Sequence, residues 1–449
     1  MKDLTQGSIP RHVVSLAIPM MFGMLLQTLY FFVDLYFVAR LGDAAIAGVS
    51  AAGNLMFVVF FLTQMLGVGT VAMVSQAVGR KDQAEANHVF NQAVLIGAVC
   101  MVLSLVAGYA SADAYMRFFA SDEATHQAGL AFLNWFIAGM ALQFPMVVMG
   151  SGLRGTGIVK PTMAVQVITV VLNTILAPIL IAGWGTGKPL GVAGASLATT
   201  ISIAVGNLFL LAYFIKLEHY VKIDPRQWKP KWSTWMRLFN IGLPAGGEFG
   251  LMAIFVGVMY WAARGFGTPA QGGLGIGFRI NQMLFVPVLA ISFAAAPIVG
   301  QNFGAKLWPR VRQTFYATAA YGVGAMVFLV ALVQWKAEGM VRIFTSEPAV
   351  VSGAVEFLSY TSWNFIPAGI AFSCSAIFQG LGNTWPTFWS SAIRIATFAF
   401  PGIWLAGQPG FELHHLYMLS VTTVYIQAGL SYFWLRFELK HRLGRPQAA

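Results

Sequence analysis

Unbroken apolar stretches recur from one end of this chain to the other, each about as long as the roughly 20 residues a helix needs to cross the hydrocarbon of a bilayer. Blocks such as residues 96–106 and 325–333 carry no charged residue and do not alternate between polar and apolar. The alternating ten-residue segments of a transmembrane β-barrel are therefore excluded. Of the 449 residues, 57% are apolar and only 10% charged. A soluble domain carries about 25% charged residues. The pattern predicts an all-α integral membrane protein. Residues 1–11 are polar and the first apolar stretch runs on to about residue 38, too long for a signal peptide's apolar core, so no cleavable signal is expected.

Breaking the apolar runs at charges, Gly/Pro clusters and turn residues gives twelve spans, near 12–38, 46–76, 88–111, 124–150, 161–182, 190–215, 237–263, 269–300, 313–336, 350–377, 386–406 and 413–435. The long polar connection at 216–236, rich in Lys, Trp and Pro, reads as a basic linker. It separates an amino-terminal lobe, 1–215, from a carboxy-terminal lobe, 237–435, with a basic tail at 436–449. The halves resemble each other at one fixed offset. Pro19 pairs with Pro244, Gly42 with Gly267, Gln76 with Gln301, Lys81 with Lys306, Ser121 with Ser346 and Gly155-Thr-Gly157 with Gly380-Leu-Gly382, each 225 residues apart. One offset held from the first span to the fifth is the mark of a duplication. Six spans per repeat make both halves enter the membrane in the same sense, related by an axis along its normal, an arrangement expected to enclose a central cavity.

The net charge of +11 is a matter of placement. Nineteen Lys and Arg residues fall in the termini and even-numbered loops and six in the odd-numbered loops. This bias predicts a multi-pass protein with both termini cytoplasmic, the membrane expected being a bacterial inner membrane, and it removes any nucleic-acid reading. Cys100 and Cys374 lie in apolar segments and read as inert thiols. No enzyme signature survives inspection. Gly187-Lys188 is followed by Pro189 where a phosphate-binding loop needs Ser or Thr, and the Gly265–Gly277 cluster lacks dinucleotide spacing. No HExxH or CxxC occurs, and the adjacent His414 and His415 diverge by about 100° on a helix, so no metal site is expected. Without a nucleotide-binding domain, transport must draw on an ion gradient or a partner.

Charges left inside the spans are costly, about 2.5–3.5 kcal/mol each at the bilayer centre, and so point to function. Asp34 stands in the first span among aromatics, with Gln27 and Tyr30 on the same helical face, and reads as a protonatable group. Pro19 removes a backbone hydrogen bond from that span and can act as a hinge. Glu248 in the seventh span, after Gly242-Leu-Pro244-Ala-Gly-Gly247, is compatible equally with substrate or ion handling and with structural pairing. Arg279, followed by Asn281 and Gln282, suits either a structural partner for a carboxylate or a substrate contact. Arg394 has no pairing clue. Asn173 lies in a Pro-containing stretch that can expose backbone carbonyls.

Together, Pro19, Val33-Asp34, Gly42, Gln76-Ala-Val-Gly79-Arg-Lys81, Leu153-Arg-Gly155-Thr-Gly157, Pro161 and Gln379-Gly-Leu-Gly382-Asn-Thr384 make the chain resemble, over nearly its full length, the multidrug and toxic compound extrusion family. The resemblance implies a V-shaped pair of six-helix lobes that exports amphipathic organic compounds, often cations, in exchange for H⁺ or Na⁺. No other cofactor is implied. Expected partners are small organic substrates and membrane lipids, the protein acting as a monomer. By the same resemblance Asp34, Gln27, Tyr30, Asn173 and Thr199 correspond to a cation site in the first lobe. The sequence departs from the pattern at Ala177, where many bacterial members carry an aspartate four residues after the asparagine. Sodium-coupled members carry acidic groups in the seventh and tenth spans. Here Glu248 lies about one turn early and the tenth span has no deep acid, so the lean is toward H⁺ coupling. A related lipid-linked sugar flippase is the alternative, but it would line its cavity with many cations, and only Arg279 and Arg394 lie in spans.

Overall fold

The computed structural model describes residues 1–120, 122–185 and 187–443, except for the side chains of 29–36, 39, 43, 442 and 443. Among the described residues there is no strand. Fourteen α-helices follow one another: α1 (Ile9–Ala39), α2 (Asp43–Gly53), α3 (Leu55–Gly79), α4 (Gln83–Phe119), α5 (Glu123–Gly155), α6 (Lys160–Ala182), α7 (Val192–Lys216), α8 (Trp232–Ala263), α9 (Thr268–Gly304), α10 (Trp308–Arg342), α11 (Pro348–Thr361), α12 (Phe365–Leu381), α13 (Trp385–Ala406) and α14 (Leu413–Leu443). Among the described residues, ten helical segments are long and apolar enough to cross a membrane. With α13 and α14 they make the twelve spans expected.

The spans differ from the sequence reading in places. The second is two helices, broken at Asn54, and the tenth is two helices joined by a 3₁₀ turn over Ser362–Asn364. Hydropathy averaged over a span does not register such breaks, because Asn54, Ser362 and Asn364 are uncharged polar residues between long apolar runs. Most helices also extend past their apolar windows, as α4 and α5 do. The ninth span, expected to stop at residue 336, continues as α10 to Arg342 through a non-helical Lys336 (φ −131°, ψ 19°). The Lys336 ammonium lies 4.5 Å from the centre of the Trp335 ring, an attraction that offsets lost backbone regularity.

The 225-residue offset governs the backbone itself. Asp43 and Thr268, Gln83 and Trp308, Glu123 and Pro348, and Lys160 and Trp385 each open a helix. Lys81 and Lys306 share a left-handed conformation, at φ 60° and 59°. Each follows a helix end closed the same way: Lys81 and Asp82 donate to Val78 and Ala77, and Lys306 and Leu307 donate to Phe303 and Asn302. These are paired i−3 and i−5 bonds, which satisfy the last carbonyls of α3 and α9. Gly155 and Gly380 form a second matched pair. A Cβ on Gly155 would lie 2.8 Å from Val74, and one on Gly380 would lie 2.5 Å from Val299 and 2.7 Å from the Ala296 carbonyl. Only glycine lets α5 approach α3, and α12 approach α9, that closely.

The chain forms two compact units, and neither is continuous in sequence. Unit 1 comprises Met1–Asp3 and Phe22–Gly242; unit 2 comprises Leu4–Met21 and everything from Leu243 onward. The division thus falls inside α1 and α8, within three residues of Pro19 and within two of Pro244, and not at the linker. Both helices run unbroken through these prolines.

In unit 1 the linker is a fixed strap on α4. The buried Gln92 amide donates to the carbonyls of Gln227 and Lys229 and accepts from the Lys231 amide and the Trp235 indole, all at 2.7–2.9 Å. Its neighbour Asn91 donates to the Lys222 carbonyl and accepts from the Asp224 amide and the Trp228 indole. The start of α8 then seats on α3, where a Cβ on Gly69 would lie 2.7 Å from the Leu238 carbonyl. In unit 2 the amino-terminal segment is held comparably. Leu4 donates to Gln301 Oε1 at 2.9 Å, Asn302 donates to the Leu4 carbonyl, and Arg310 bridges Asn302 Oδ1, Leu4 and Gly7.

Gln92→Leu, which leaves two carbonyls and two N–H donors of the linker without their buried partner, is expected to lower stability by about 2 kcal/mol, read as a drop in the thermal midpoint of the detergent-solubilised protein. Gly380→Val should cost about 1–3 kcal/mol by overpacking in the same assay. By contrast, Lys306→Gly relieves a left-handed residue and should leave the midpoint unchanged or raised, whereas Lys306→Val should lower it.

Candidate functional site

Intramembrane polar groups in unit 1 gather where α6 meets α7. The Asn173 side-chain amide donates to Thr199 Oγ1 at 3.1 Å, and both residues are buried, at 2% and 8% exposure. Thr199 Oγ1 in turn donates to the Ala195 carbonyl one turn back, at 3.2 Å. An amide and a hydroxyl so far from water are stable only when they bond each other or the backbone. Ala177, one turn after Asn173 on α6, is fully buried, so this helix face continues as apolar surface. The two residues brought together here lie 26 apart in the chain.

The first-span candidates divide. The side chains of Asp34 and Tyr30 lie outside the described residues. Gln27 is exposed on α1. Gly23, four residues before it, is buried against Gln166 of α6, close enough that a Cβ there would meet the Gln166 amide oxygen. α1 and α6 are therefore neighbours within unit 1.

In unit 2, Glu248 is half-buried on α8, and among the described residues no hydrogen bond or ion pair engages it. Beside it, Gly247 admits the Phe388 ring of α13, 2.9 Å from where a Cβ would stand. The small residues around Pro244 thus serve close packing, as their pattern suggests. Arg279 and Gln282 lie on the exposed side of α9, and among the described residues no carboxylate pairs with Arg279. The adjacent Asn281 amide donates to Thr361 Oγ1 at 3.3 Å. Cys374 is buried and Cys100 is half-buried on α4. No group of three potential metal ligands occurs among the described residues.

One charged residue without a pairing signal in sequence acquires surroundings in the structure. Arg394, midway along α13, lies over the Phe255 ring of α8, its guanidinium carbon 5.1 Å from the ring centre. One of its terminal nitrogens lies 3.5 Å from Gln427 Oε1 of α14. Neither Phe255 nor Gln427 is near it in sequence, which is why no local pattern announces the trio.

A duplicated array of long apolar helices, with polar groups paired inside each unit, defines a polytopic helical membrane protein. A sequence model of the MatE family matches residues 19–179 and 244–405, and the chain belongs to that family. The two matched segments begin 225 residues apart, in register with the repeat. The multidrug export protein MepA of Staphylococcus saprophyticus is 26% identical over 394 residues, covering 84% of this chain and 83% of that protein. MepA of Staphylococcus aureus (strain MRSA252) is 27% identical, covering 82% and 80%. Among solved structures, MATE in complex with MaL6 superposes with TM-score 0.92 at 21% identity, over 99% of both chains. An outward-facing multidrug resistance MATE family transporter gives 0.92 at 22%, over 99% and 98%. At these identities the structures establish the fold.

Thr199→Val removes the acceptor of the Asn173 amide, and a thermal-stability loss of about 1 kcal/mol is expected. Thr199→Ser keeps the hydroxyl and should lose less than half as much.

Proposed function

We propose that this protein is a secondary active multidrug exporter that expels amphipathic, mainly cationic, organic compounds in exchange for protons. Family membership supports export, and the curated relatives named multidrug export proteins support the breadth of cargo. The observation that carries the choice of ion is the composition of the unit 1 site. A hard metal cation needs several oxygen ligands, whereas a proton needs one carboxylate of suitable affinity. Asn173 and Thr199 bond each other, and the fully buried Ala177 supplies no carboxylate. That leaves Asp34 of α1 as the titrating group.

In this reading ionised Asp34 holds a cation through charge attraction, while aromatic faces of the pocket supply cation–π attraction. When the site opens to the periplasm a proton neutralises Asp34, affinity for the cation falls, and the cargo leaves. The neutral carboxyl can then return inward, where it releases its proton. Proton and cargo need only favour different states for the two fluxes to be coupled. The protein acts as a monomer in a bacterial inner membrane, both termini cytoplasmic, with no cofactor beyond the coupling ion.

In liposomes, an imposed proton gradient should drive uptake or efflux of a fluorescent organic cation, and a sodium gradient at uniform pH should not. Asp34→Asn should reduce proton-driven transport to the level of empty vesicles. Full activity in that variant, or sodium-driven transport in the wild type, would overturn the mechanism.

A further inference from the structure

The Arg394 cluster of unit 2 is unused by this mechanism. Arg394 is the tenth of the 22 residues of α13, the repeat counterpart of the candidate span α6. Its Nε is sealed from solvent and bonded to nothing, and the side chain is half-buried. Its polar contact is the 3.5 Å approach to Gln427 Oε1, at the long limit of a hydrogen bond. Gln427 is oriented by donating to Ser391 Oγ at 2.9 Å. Among the described residues no carboxylate pairs with Arg394. The strongly exposed Trp389, Phe400, Ile403 and Trp404 mark the outer face of α13. At 100° per residue Arg394 points about a third of a turn away from the centre of that face, toward α8 and α14.

A guanidinium in mid-membrane is always charged, presents five donors in a planar fork matched to a carboxylate, and is costly without a counter-charge. Here Phe255 supports one face of the fork and Gln427 holds one end, so the group is prearranged with most of its donors unspent. We propose that Arg394, positioned by Phe255 and Gln427, is an anion-binding subsite that takes the carboxylate of zwitterionic amphipathic compounds. It rests on the export reading above and assigns a residue to the anionic end of a cargo.

The test uses direct binding, measured by fluorescence anisotropy on the full chain in phosphatidylcholine nanodiscs, with no gradient. The probes are tetramethylrhodamine, whose free carboxylate makes it zwitterionic, and its methyl ester, which is a cation. Arg394→Gln should weaken the carboxylate dye about tenfold and the ester less than about twofold. Gln427→Glu, which places a carboxylate beside the guanidinium and leaves no charge unpaired, should reproduce that selective loss even if the first variant folds poorly. Arg394→Lys, which keeps the charge but not the stacked fork, should show a selective loss intermediate between the wild type and Arg394→Gln. Equal weakening of both dyes, no change in either, or failure of the wild type to bind the carboxylate dye would overturn the subsite. So would competition by added phosphatidylglycerol that disappears in Arg394→Gln, since that would assign the guanidinium to a lipid headgroup. Failed gradient-driven transport with intact Arg394-dependent binding would sink the export reading instead, so the two failures are distinguishable.

Discussion

In hydrocarbon a backbone N–H or carbonyl has no water to turn to, and every other feature of this molecule follows from that shortage. Within the helices the problem solves itself. At their ends it does not, and there the chain uses devices that the duplication has kept in pairs: left-handed Lys81 and Lys306 closing α3 and α9, Gly157 and Gly382 following α5 and α12. Where the chain must run as irregular segment beside a helix, whole amide side chains are buried to serve it. Gln92 makes four such bonds, as many as its amide supports, and Gln301, Asn302 and Arg310 serve the amino-terminal segment in the same way.

Much of this was legible beforehand, because hydrophobic period and repeat offset are properties of sequence that membranes force to be plain. The number of spans and the pairing of Gly155 with Gly380 can be read from letters alone. The breaks at Asn54 and at Ser362–Asn364 cannot, since a helix interrupted by tertiary packing keeps its apolar composition. Nor can Gln92, a polar residue near a helix start whose ordinary reading is solvent exposure. Its buried role depends on a linker 135 residues away.

The candidate sites divide along the same line. Asn173 was legible as a polar residue in a Pro-containing span and Thr199 only through resemblance to a family, and the structure joins them by a hydrogen bond that residue spacing does not imply. Arg394 was visible as a charge out of place, but its meaning needed Phe255 and Gln427 from two other helices. Intramembrane charges announce themselves in a sequence. Their partners do not, because those are chosen by packing.

The grouping of Leu4–Met21 with unit 2 bears on how the protein is made. Leu4 bonds Gln301 across 297 residues, so it cannot reach its partner until that whole stretch has been synthesised. Cutting the gene at the linker would yield two polypeptides, the first lacking the closing stretch of unit 1 up to Gly242 and the second lacking the opening segment Leu4–Met21 of unit 2. A duplicated gene of this kind therefore does not encode two separable halves, and fragments expressed apart would have to find each other before either could finish folding.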